Sequence, residues 1–90
     1  MNFYSDEELS KVIVRKGTRY YTPDGEIGTV EKVVGDICLV SFPYIEDGKV
    51  KPGIEDPYRI GTRYIQEAIL DYGYPRKGEK GQVMRFKRLK

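Results

Sequence analysis

Three short runs of β-branched and aromatic residues, each closed by a turn signal, fill positions 18–42 and commit this stretch to strands joined by tight connections. The first is Thr18-Arg19-Tyr20-Tyr21-Thr22. Pro23-Asp24-Gly25 ends it, since proline presets the first turn torsion and glycine accepts the positive φ that follows. Glu26 to Val34 reads as a second strand whose apolar residues, Ile27, Val30, Val33 and Val34, do not alternate strictly. That irregularity predicts a bend, and Gly28 inside the strand marks a bulge or a close backbone approach. Gly35-Asp36 is a two-residue hairpin signal, after which Ile37-Cys38-Leu39-Val40-Ser41-Phe42 forms a nearly continuous apolar strand.

Helix signals flank this β block. Ser5-Asp6-Glu7-Glu8 has the Ser-x-x-Glu form of a capping box, and Leu9, Val12 and Ile13 supply one apolar stripe for a short N-terminal helix. Residues 43–57 change to Pro, Gly and acids, which predicts a long loop that is functional, mobile or partly a hairpin around Asp47-Gly48. Tyr58-Arg59-Ile60 adds a brief strand. Ile65, Ala68, Ile69 and Tyr72 then fall on one helical face, with Thr62 as N-cap, Gly73 as C-terminal cap and Pro75 forbidding continuation. A basic turn over 76–81 leads into a last strand over 82–89, in which Met84 and Phe86 stand opposite Arg85 and Lys87.

Composition removes most catalytic chemistry. The 90 residues are 39% hydrophobic, enough for one domain over 1–90, and contain no histidine and a single cysteine, Cys38. An intrachain disulfide and a cysteine/histidine zinc site are therefore excluded, and the commonest acid/base group is missing. Cys38 lies in an apolar strand with nothing cationic beside it in sequence and reads as a small core residue. The acidic pairs Glu46/Asp47 and Glu55/Asp56 sit in a segment expected to be solvated, and Gly25-Glu26-Ile27-Gly28 lacks the further glycines and helix of a phosphate loop. The expectation is a protein that is not an enzyme, with no cofactor, no metal and no small-molecule substrate. No apolar run approaches the roughly 20 residues of a membrane span, and residues 1–8 lack the features of a signal peptide, so no membrane association and a cytoplasmic location are expected.

Lys16-Gly17-Thr18-Arg19-Tyr20, Gly25-Glu26-Ile27-Gly28-Thr29-Val30 and Leu39-Val40-Ser41-Phe42 together resemble the opening of SH3-like small barrels, most closely the KOW type. The resemblance covers residues 15–42. It implies a mainly β fold, an SH3-like small barrel of about five strands, to which the residues add a short N-terminal helix and one helix before the last strand, the latter a departure from the family pattern. It also implies a binding module that contacts nucleic acid or a nucleoprotein complex.

Charge is distributed unevenly. Residues 1–74 carry nine Lys/Arg against thirteen Asp/Glu, whereas 75–90 carry seven against Glu79 alone. The closing segment is thus a cationic strip that attracts a polyanion or an acidic protein face, or else a solvated, charge-blunted last strand. Eight tyrosines provide amphipathic rings: Tyr20 and Tyr21 point to opposite faces of one strand, and Tyr44, Tyr58, Tyr72 and Tyr74 flank loops or turns. The candidate binding residues are Tyr20, Tyr21, Tyr44, Arg76, Lys77, Lys80, Arg85, Lys87 and Arg88, combining base stacking with phosphate contacts to RNA or DNA. The competing expectation is a small accessory or inhibitory protein that docks on the acidic surface of a larger protein through the 43–57 loop and the barrel edge. A structural assembly subunit is a third possibility.

Overall fold

The capping box forms as its spacing predicts. In the computed structural model, which describes residues 3–87, Ser5 Oγ accepts from the Glu8 amide and Glu8 Oε1 accepts from the Ser5 amide, both at 3.1 Å. These bonds start α1 (Asp6–Ser10), whose Leu9 is buried. The helix is too short to carry the full apolar stripe: Val12 reaches the core beyond its end, while Ile13 points to solvent.

β1 (Arg19–Tyr21), β2 (Ile27–Val34) and β3 (Ile37–Ser41) follow as an antiparallel meander. The Gly25 amide donates to the Thr22 carbonyl at 3.0 Å, closing the first turn with Gly25 at φ 86°. The expected irregularity in β2 is a register shift between Val30 and Lys32, which leaves Glu31 as the bulged residue. Gly28 serves instead as the close approach. A Cβ there would stand 2.8 Å from Val40 Cγ1 and 2.9 Å from the Phe42 ring, so only glycine lets that ring lie against β2.

The segment after Phe42 holds the partial hairpin expected around Asp47-Gly48. β4 (Tyr44–Glu46) and β5 (Lys49–Lys51) form the Asp47-Gly48 hairpin, both turn residues having positive φ as a two-residue hairpin of this twist requires. β6 (Tyr58–Gly61) returns to the outer side of β3 and leads directly into α2 (Thr62–Tyr72). Thr62, expected as N-cap, is the first helical residue. Gly61 occupies the cap without a side-chain bond, and Thr62 Oγ1 sits 3.3 Å from Cys38 Sγ. Gly73 ends the helix at φ 78°, its amide bonding the Ile69 carbonyl at 2.8 Å. Tyr72, expected on the buried face, is half exposed.

The larger sheet has the order β1-β2-β3-β6 and is not closed into a barrel: β1 and β6 remain its two edges. α2 packs against both of them and supplies Ile65, Ala68 and Ile69 to a core completed by Val12, Tyr20, Val30, Cys38, Val40 and Phe42. The helix covers the side that a further strand would have closed.

The last strand departs most from expectation. Of the strand expected over 82–89, positions 88 and 89 lie outside the described residues, and among the rest only β7 (Arg85–Phe86) forms; it pairs in parallel with β4 in a second sheet of order β5-β4-β7. Its inward residue is Arg85, whereas Met84 and Phe86 face solvent. The cause is Glu26. Its carboxylate is almost fully buried at the head of β2 and accepts from Arg85 Nε at 2.6 Å and Nη2 at 3.1 Å. The guanidinium lies 3.9 Å from the Phe42 ring centroid and 4.5 Å from that of Tyr58, so two aromatic faces take up its cation.

Removing the cation leaves a buried unpaired carboxylate, so Arg85→Met should lower the urea-measured unfolding free energy by about 3 kcal/mol. The double variant Glu26→Leu with Arg85→Met should regain most of that loss. A single variant as stable as the native chain would show that the pair does not hold the two sheets together.

Candidate functional site

Two four-residue turns face one groove. In Arg15-Lys16-Gly17-Thr18 the Thr18 amide donates to the Arg15 carbonyl at 3.0 Å, with Gly17 in the third position at φ 91°. In Arg76-Lys77-Gly78-Glu79 the Glu79 amide donates to the Arg76 carbonyl at 3.0 Å, with Gly78 in the third position at φ 82°. Positive φ at the third residue is what demands glycine in such a turn. Each turn therefore presents an Arg-Lys pair from the same backbone geometry.

The first turn is fixed by β2 and by its own threonine. The Gly17 amide bonds the Val30 carbonyl at 2.7 Å, and Thr18 Oγ1 accepts from the Arg15 amide at 3.1 Å. The second is anchored to β1. The Arg19 guanidinium donates to the carbonyl oxygens of Arg76 and Glu79, and the Tyr21 hydroxyl lies 2.7 Å from both Glu79 carboxylate oxygens. Between the turns lies a groove of about 480 Å³ lined by Arg15, Lys16, Arg19 and Lys77, with Ile13, Tyr74 and Pro75 as its apolar side. Arg15, Lys16, Arg76 and Lys77 are exposed, and none has an ion-pair partner among the described residues. Tyr74 is 59% exposed. Free cations beside an accessible ring make a surface that attracts an anion and offers a stacking face.

The expected site residues are not gathered in one place. Arg76 and Lys77 belong to the second turn. Tyr21 anchors that turn, and the Glu79 carboxylate raises its phenol pKa through their hydrogen bond. Tyr20 is a correction: it is 1% exposed in the core, where burial drives its pKa far up, and it is closed to any partner. Arg85 is a second correction, its guanidinium being paired with Glu26 and stacked on two rings. Lys87 pairs with Glu46 at 2.9 Å, and Tyr44 donates to Glu55 Oε1 at 2.8 Å. Lys80 faces a different, apolar cleft. Arg88 lies outside the described residues. The exposed tyrosines are Tyr64, Tyr72 and Tyr74, and only Tyr74 borders the cationic groove.

Arg15, Lys16 and Tyr74 complete the groove although they are absent from the expected set. A signal for two of them exists in the sequence: Arg-Lys-Gly occurs at 15–17 and again at 76–78. Among the described residues no cluster of three or more His, Cys, Asp or Glu could hold a metal, and no helix is long and apolar enough to cross a membrane. No family model, curated protein or solved structure matches the chain.

Glu79 sets the acid limit of the second turn. The Tyr21 hydroxyl, then the Arg76 amide, hold its carboxyl below the ordinary glutamate range. Because the folded value lies below the unfolded one, the anchor is fully present above the unfolded value, about 4.3, and is lost as pH falls through the depressed one. NMR titration should place the transition of the Gly78 amide and the Tyr21 ring below the ordinary glutamate range. A midpoint in the ordinary glutamate range would show that the carboxylate does not anchor the turn.

Proposed function

We propose that this protein is a non-catalytic binding module for single-stranded RNA or DNA, with the groove between its two Arg-Lys-Gly turns as the contact surface. The carrying observation is that these turns bring Arg15, Lys16 and Lys77, without ion-pair partners among the described residues, to one groove beside the exposed ring of Tyr74. Sequence-independent nucleic-acid recognition uses this combination, with cations tracking phosphates and a ring receiving a base. A duplex presents its bases stacked and hidden from such a ring, so the unpaired strand is the better fit.

An SH3-like barrel, opened between its edge strands, goes with this reading. It is supported by the tight hairpins, the glycine beneath Phe42 and the helix lying across both free edges. The KOW resemblance supports the same surface, since its opening Lys16-Gly17 lies in the first turn. The reading includes a cytoplasmic location, where RNA is abundant and the lone thiol of Cys38 stays reduced.

Fluorescence anisotropy with a labelled oligouridine tests the proposal. Three phosphate contacts, from Arg15, Lys16 and Lys77, predict a log-log salt slope of about −2. Lys16→Glu with Lys77→Glu should weaken binding at least about tenfold and flatten that slope, and Tyr74→Ala should cost about fivefold or more. Lys87→Gln, remote from the groove, should change little. Absence of binding at about 50 mM salt, where phosphate contacts are strongest, would overturn the reading.

A further inference from the structure

A second cleft of about 550 Å³ lies on the outward face of the larger sheet, and its character is opposite to that of the cationic groove. Its floor is Ile27 and Thr29 of β2 with Ser41 of β3. One wall is Pro43, Val50, Pro52 and Ile54, and the other is the segment from Glu79 to Val83. Val50 and Ile54 are 61% and 56% exposed, so apolar side chains stand open to water at the rim.

The two ends of this slot differ in charge. Gly81 packs so closely on Ile27 that a Cβ would meet Ile27 Cγ1 at 2.8 Å, which puts the neighbouring Lys80 at the Ile27 end. Lys80 is exposed and has no ion-pair partner among the described residues. At the other end, Glu31 accepts from the Ser41 hydroxyl through Oε2 at 2.6 Å, and Oε1 has no partner among the described residues. The remaining charged lining groups, Arg19 and Glu79, are already held by carbonyls and by Tyr21.

We propose that this slot docks an extended segment of a protein partner bearing an acidic residue, an apolar residue and a basic residue at alternate positions. An extended chain presents alternate residues on one face, so an acid, an apolar residue and a base two positions apart can meet Lys80, the apolar wall and Glu31 together. The apolar residue then packs on the exposed side chains of Val50 and Ile54, while the acid meets Lys80 and the base meets Glu31. Opposite end charges select this pattern over a uniformly apolar or singly charged one. The inference is independent of the polyanion groove, which lies on the other side of the 76–79 turn.

The probe is the blocked peptide acetyl-Gly-Asp-Thr-Leu-Thr-Lys-Gly-amide, titrated into the labelled full chain and followed by NMR. Saturable shifts should appear at Ile27, Thr29, Val50 and Ile54. Lys80→Glu should weaken binding at least about fivefold, and exchanging the peptide's aspartate for lysine should restore affinity to that variant alone. Val50→Asp, at an exposed position, should abolish the shifts while leaving the thermal transition and oligouridine binding in place. No saturable shift at about 5 mM peptide would overturn the proposal, because a site with a Kd of about 1 mM would be mostly occupied there. So would affinity unchanged by Lys80→Glu, or shifts confined to the Arg-Lys-Gly turns.

Discussion

The Arg85–Glu26 pair is the interaction on which the rest of the structure depends. Glu26 is buried at the start of β2, and a carboxylate in that position requires a cation with geometry good enough to offset the loss of water. Arg85 provides two parallel hydrogen bonds, while Phe42 and Tyr58 cover its planar face. In doing so it draws the C-terminal segment across the larger sheet and sets β7 beside β4. The second sheet exists in this register because one guanidinium is committed to the first.

The same pair decides which charges face outward. With Arg85 inside, its neighbours Met84 and Phe86 are turned to solvent, and Lys87 reaches Glu46. Over 85–87 the chain is consequently a poor cationic surface, both of its cations being paired. Unpaired cations instead face one another at the two Arg-Lys-Gly turns, one before β1 and one after α2, some sixty residues apart in the chain. Arg19 brings them together by binding the carbonyls of the second turn from the strand that follows the first.

Arg19 also lines both clefts, so the arm from Arg76 to Val83 is a shared partition between a cationic groove and an apolar slot. Gly81 is the residue that lets this arm lie flat. It sits against Ile27 and the Gly25 carbonyl with no room for a side chain, and the Gln82 amide bonds that carbonyl at 3.0 Å. One short segment thereby shapes two surfaces of opposite chemistry.

Local chemistry made much of the fold legible in the residues alone. The capping box at Ser5, the Pro23-Asp24-Gly25 turn, the hairpin at Gly35-Asp36 and the glycine stop at Gly73 each depend on a torsion or hydrogen bond that neighbouring residues determine. Gly28 was legible as a glycine inside a strand, but the Val40 and Phe42 side chains that crowd it lie across the sheet. The last strand was not, since alternation of Met84 and Phe86 with Arg85 and Lys87 states only that the two sets face opposite ways. Which set turns inward was decided by a carboxylate 59 residues earlier, where burial made an arginine more favourable against the core than a methionine or phenylalanine. The open sheet edges covered by α2 and the meeting of two distant turns at Arg19 have the same origin. They are long-range contacts, and their free energy belongs to pairs of segments that no local pattern joins.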